Sequence, residues 1–147
     1  MYNISFHVQL VHSTKIESKV TPMSERESTG FLIKQRAFLK LYLITMVEKK
    51  NGYALQMLDF LQHDFKNLGY KPNHAEIYRS LDDLVEDGIL YRIKRPQPNM
   101  NSKHKEVVYY HFVSNGGYEA AMRYKTNVKT DLDRCIGILR KAVADNY

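Results

Sequence analysis

Three observations predict an α+β, mostly α fold of the winged-helix type with a long C-terminal dimerisation helix. Between Tyr53 and Leu90 the chain reads as two helices joined by a short turn containing Gly69. Directly after Gly88 the apolar period changes from 3.6 residues to 2. The chain then closes on one long amphipathic run from Tyr118 to Ala144. A helix-turn-helix followed at once by a hairpin is the winged-helix arrangement, with the hairpin as its wing.

The stretch Lys71–Leu90 organises the rest. Asn73 can cap the first free backbone N–H groups, and Glu76, three residues on, can reach back to the cap's own N–H. Pro72 ends what precedes it, and Gly88 supplies a left-handed stop. Ile77, Leu81, Leu84 and Val85 share one face, which leaves Arg79 at the centre of the other, flanked by Ala75 and Glu86. The first exposed turns offer Ala75, Tyr78 and Arg79, with Lys71 just ahead. Asp82, Asp83, Glu86 and Asp87 crowd the far end. A helix that is small and basic at its start and acidic at its end suits end-first docking in a DNA groove. An ordinary amphipathic surface helix would carry the same apolar stripe; the hairpin behind it favours the DNA reading.

Residues 1–27 read as an N-terminal extension and flexible arm. Ile4, Phe6, Val8 and Leu10 alternate like a strand, but Ser13 to Gly30 is polar and without period. Met23 can itself serve as a start of translation. A winged-helix domain spans residues 28–115. Its first helix is expected over Phe31–Lys49, opened by Ser28-Thr29-Gly30, and apolar around nearly its whole circumference, hence sandwiched between other elements. Lys34, Arg36 and Lys40 interrupt it; they are either a solvated face or phosphate contacts beside the arm. The second helix is expected over Tyr53–Leu68 with Leu55, Leu58, Leu61, Phe65 and Leu68 as its buried stripe. Two strands, around Ile89–Lys94 and Val107–Val113, flank a polar, proline-rich wing loop that carries Arg95, Lys103 and Lys105.

Residues 116–147 form the dimerisation helix. Ala121, Val128, Leu132, Cys135, Leu139 and Ala142 fit alternating steps of four and three, with Lys125 taking the one polar place, a coiled-coil seam roughly 40 Å long at 1.5 Å per residue. A helix of that length outruns so small a domain, so a second copy is its expected cover, and Val128, Leu132, Cys135 and Leu139 are its expected contacts. A two-fold dimer presents two recognition helices to a near-symmetric DNA site.

The composition agrees. Net charge is +6 over 147 residues, which suits a polyanionic partner. Cys135 is the lone cysteine, so no intramolecular disulfide and no cysteine-rich metal site can form. No apolar run reaches the length of a membrane span, and a cytoplasmic, nucleoid-associated protein is expected. The six histidines show no metal-ligand spacing. Gly52, Gly69, Gly88, Gly116 and Gly117 each sit at an element boundary, and no nucleophile–base constellation appears. Neither an enzyme nor a cofactor or metal is expected.

Several segments together resemble the replication termination protein family of Bacillus. They are Ser28-Thr29-Gly30-Phe31-Leu32-Ile33-Lys34-Gln35-Arg36, Lys71-Pro72-Asn73-His74, Tyr78-Arg79-Ser80-Leu81, Asp87-Gly88-Ile89-Leu90, Glu106-Val107-Val108, Tyr118-Glu119-Ala120-Ala121 and Leu132-Asp133-Arg134-Cys135. The resemblance covers about Met23 to Tyr147. It departs in the N-terminal extension, a slightly longer wing loop, and Val47–Asn51. It implies a winged-helix homodimer that binds terminator DNA as two adjacent dimers and blocks the replicative helicase from one direction. By position it implies DNA contact by Lys34, Arg36, Lys71, His74, Arg79 and the wing lysines. It further implies a dimer–dimer role for Tyr110 and a helicase contact at Tyr53, away from the DNA face. Lys50 stands where the family has an acidic residue. Two other readings share part of this pattern: a transcriptional repressor of the phenolic-acid type, and an interaction module that dimerises with a host terminator protein.

Overall fold

The computed structural model describes residues 30–96 and 106–147. The strand-like Ile4–Leu10, the arm, the Ser28-Thr29 cap signal and the wing residues Lys103 and Lys105 lie outside them. Helix α1 covers Gln35–Glu48, α2 Ala54–Asp64 and α3 His74–Glu86. Strands β1 (Leu90–Pro96) and β2 (Glu106–Phe112) pair antiparallel, with Leu90 opposite Phe112 and Arg95 opposite Val107. Helix α4 runs from Gly117 to Asn146. A mostly helical α+β chain with a two-stranded hairpin and one long last helix is the architecture expected.

Helix α1 starts later than its periodicity suggests. Its N-cap is the extended Lys34, which makes no side-chain cap. The helix packs between α3 and α4, burying Leu39, Leu43, Ile44, Met46 and Val47. It ends in a Schellman closure: Lys50 N–H donates to the Val47 carbonyl and Asn51 N–H to that of Met46. Lys50, not a glycine, takes the left-handed conformation at φ 63°.

The second helix is shorter than expected and its stripe is rotated. After Asp64 the chain tightens into a 3₁₀ turn, Lys66–Leu68, before Gly69. Met57, Leu58 and Leu61 are buried, whereas Leu55 is 56% and Leu68 80% exposed. Phe65 is drawn instead into a cluster with Phe38, Tyr42 and Tyr70, with ring centroids 5.0–5.9 Å apart. Those four rings fill the angle between α1 and the helix-turn-helix corner.

Helix α3 closes as written. Gly88 adopts φ 74°, its N–H meets the Val85 carbonyl, and Ile89 N–H meets that of Leu84. At its start Asn73 Oδ1 accepts from Glu76 N–H at 2.8 Å. The reciprocal half of the expected box is replaced, because the Glu76 carboxylate faces Arg79 and Arg36. Ile77, Leu81 and Leu84 are fully buried and Ser80 joins them, its hydroxyl bonded back to the Glu76 carbonyl at 2.7 Å. The hairpin lays Leu90, Tyr110, Val108 and Phe112 against this core. It also gains an unexpected third edge: Tyr110 N–H donates to the Gly52 carbonyl at 2.8 Å, and Tyr53 bridges Tyr109.

Candidate nucleic-acid interface

Capping, helical spacing and the turn together place Lys71, His74, Ala75, Tyr78 and Arg79 exposed along the first half of α3. The Arg79 side chain is 62% exposed. The hairpin adds Arg92, Lys94 and Arg95, all exposed. Arg92 is not singled out by the sequence, yet it ties wing to helix: its guanidinium lies 3.7 Å from Asp82 of α3, and it stands across the hairpin from Tyr110. The alternating pattern of β1 was the available signal, since Arg92 stands opposite Tyr110 in the register.

The basic residues of α1 are not all equivalent. Lys34 is exposed, and among the described residues Lys34, Lys71, Lys94 and Arg95 form no ion pair. Arg36 is engaged on both sides, by Glu76 at 3.6 Å and Asp83 at 3.5 Å. Lys40 is held by Asp83 and Asp87. Charges thus alternate along the α1–α3 seam in the order Arg79, Glu76, Arg36, Asp83, Lys40, Asp87. The acidic end of α3 faces α1 as well as solvent, which the helix-wheel argument alone does not disclose.

Two tyrosines sit differently from expectation. Tyr110 is 2% exposed, so it has almost no surface to offer a neighbouring dimer. Burial pushes its hydroxyl above the usual tyrosine range, against the opposing pull of Arg92. Tyr53 is half-buried against the outer face of the hairpin, its ring 5.5 Å from that of Tyr109. The Arg95 guanidinium stands 5.8 Å from the same Tyr109 ring. Tyr53 is therefore attached to the wing, not remote from it. Tyr91 and His111 continue this face, with ring centroids 5.6 Å apart.

On α4 the apolar stripe divides along its length. Ala121, Val128 and Cys135 are buried within the single chain, at 0%, 4% and 6% exposed. Cys135 Sγ accepts the Ile33 N–H at 3.2 Å. Tyr124 donates its hydroxyl to the Ala37 carbonyl at 2.8 Å, and burial, then nearby Asp87, raises its pKa to about 12. Beyond Cys135 the helix outruns its support, and Ile136, Leu139 and Val143 stand 44%, 51% and 61% exposed. Beside them lies an open groove of about 700 Å³, lined by Leu41, Lys125, Lys129, Leu132 and Ile136 among others. No group of metal-ligating side chains occurs among the described residues, and no described helix is long and apolar enough to cross a membrane.

Comparison with known proteins bears on this arrangement at two levels. At the level of fold, a solved chain described as a candidate transcriptional regulator of Thermoplasma acidophilum superposes with a TM-score of 0.54. It covers 72% of this chain and 92% of its own at 14% identity, a likeness of fold alone. At the level of sequence, the replication termination proteins of Bacillus subtilis (strain 168) and Bacillus vallismortis are each 51% identical over 123 residues. That alignment spans 84% of this chain and 97% of each relative. The family model described as replication terminator protein matches residues 30–147, from the start of the described structure through α4 to Tyr147. The chain belongs to the replication terminator protein family.

Proposed function

We propose that this chain is a sequence-specific DNA-binding homodimer that occupies replication terminator sites, as two dimers on adjacent sites, and blocks the replicative helicase from one direction. The observation that carries the reading is a conjunction: family membership over residues 30–147, and an α3 whose exposed first half is small and basic beside a basic wing. His74, Ala75, Tyr78 and Arg79 read base edges in the major groove. Lys34, Lys71, Arg95 and the wing lysines Lys103 and Lys105 hold phosphates. Arg36 contributes to phosphate binding only by giving up Glu76 or Asp83.

The dimer is built on α4. Its contact stripe is Leu132, Ile136, Leu139 and Val143, stepping four, three and four along one face, each left at least partly uncovered by one subunit. Val128 and Cys135 support the helix from within the subunit. Tyr110 acts between dimers indirectly, by setting the position of the wing, and Tyr53 with its Tyr109 neighbour forms the surface offered to the helicase.

Mapping the chromosomal fragments bound by the protein tests this reading. Bound sites opposite the replication origin are expected. Sites confined to promoters would replace termination by repression, and absence of autonomous DNA binding would favour the interaction module. Affinity should also fall steeply with salt, with a log–log slope of about −0.9 for each phosphate neutralised.

A further inference from the structure

The charge ladder along the α1–α3 seam has an end that faces the proposed DNA groove. Arg79 Nη1 donates to Glu76 Oε1 at 3.0 Å, the shortest contact of the ladder, while Glu76 Oε2 lies 3.6 Å from Arg36 Nη2. Glu76 itself is fixed from two sides, since its N–H is bonded to Asn73 and its carbonyl to Ser80. A carboxylate on the first turn of a helix that approaches DNA is an electrostatic cost against any phosphate nearby. As a plain structural tie it contributes little, because an exposed ion pair is weakened by solvent and by the side-chain entropy it costs. Its geometry suits a different task. A free arginine on a recognition helix has ready partners in the phosphates, which are plentiful and carry no sequence information. A guanidinium held through Nη1 is kept from wandering to them, yet can still present its Nε–Nη2 edge to the two acceptors of a guanine.

We infer that Glu76 is a specificity-determining positioning residue: by tethering Arg79 and restraining Arg36, it suppresses phosphate binding and reserves Arg79 for a base. This rests on the reading of α3 as the base-reading helix. On a scrambled duplex the tether keeps both arginines from the backbone and the carboxylate repels it. On the cognate site the tethered Arg79 meets its base without first losing rotamer freedom.

The experiment compares unmodified protein, Glu76→Gln and Asp83→Asn on two probes. One is the duplex that unmodified protein selects from a randomised library; the other is a scrambled duplex of equal composition. For Glu76→Gln the ratio of selected to scrambled affinity should fall about 5- to 150-fold, the scale of one lost base contact. Binding to the scrambled duplex should tighten, and its salt slope should steepen by about 0.9 for each arginine released to a phosphate. Asp83→Asn loosens Arg36 and Lys40, which keep Glu76 and Asp87 as partners, and leaves Arg79 tethered, so it should shift both affinities together and keep the ratio. Circular dichroism checks that both variants keep their helices. A folded Glu76→Gln with unchanged ratio and slope, or an equal loss of ratio in Asp83→Asn, would overturn the inference. Unmodified protein that fails to select any duplex would instead remove the reading on which it rests, and the inference with it.

Discussion

At the scale of single residues, function turns on which cations are available and which are already engaged. Arg79 points outward and Ala75 leaves space one turn earlier, so Arg79→Ala is expected to lose discrimination, by about 1–3 kcal/mol if it reads a guanine through two bonds. Lys34→Ala, if that lysine meets only phosphate as proposed, should weaken selected and scrambled duplexes alike; competition binding on both probes separates the two outcomes. Helix caps were legible at this scale, since Asn73 and Gly88 do what their chemistry prescribes. The partners of Arg36 were not. Nothing in local spacing says that Glu76 and Asp83 of α3 turn toward α1, because a helix wheel knows only its own axis. Tyr110 shows the same limit: a strand tyrosine reads as buried or exposed only once the register against Arg92 and the approach of Gly52 are fixed.

At the scale of elements, close backbone approach and buried hydroxyls hold the hairpin and α4 in place. A Cβ on Gly52 would overlap the Tyr110 carbonyl, so Gly52→Ala should push the third edge off the hairpin. A loss of about 1–3 kcal/mol in denaturant unfolding is expected. Tyr124 anchors α4 to α1, and its folded-state pKa, about 12, lies above the ordinary tyrosine value of 10.0. The sign follows directly. The unfolded chain loses this proton first, so the contribution is intact below about pH 10 and is lost as pH rises toward 12. Tyr124→Phe should flatten the alkaline fall in melting temperature; an unchanged fall would place it elsewhere. The order and type of elements could be read from periodicity and punctuation. The second helix departs from the pattern its leucines suggest: its buried face is Ala54, Met57, Leu58 and Leu61, which turns Leu55 outward, and the 3₁₀ turn after Asp64 breaks the phase before Leu68. Aromatic packing of Phe65 against Phe38 and Tyr42 overrides the helical continuation there.

For the whole molecule, the proposed dimer brings together two exposed surfaces of each subunit, the face of α3 with β1 and the free end of α4. The length of α4 signalled that it outruns its domain, but which residues a second copy covers depends on where the subunit's own support ends, and that point is Cys135. Leu139 is half exposed in one subunit, so Leu139→Asp should leave the fold intact while burying an unpaired carboxylate in the dimer. Light scattering should show monomers, with specific DNA binding lost in parallel; a dimer that persists would move the interface off this stripe. The central claim is that DNA binding by this dimer stops a helicase from one side. It is tested most directly by unwinding of a duplex carrying the selected site, at saturating protein, in both orientations. Arrest in one orientation only is predicted, with Tyr53→Ala binding the site almost normally but arresting poorly. Equal passage of the helicase in both orientations on a fully occupied site would contradict the account.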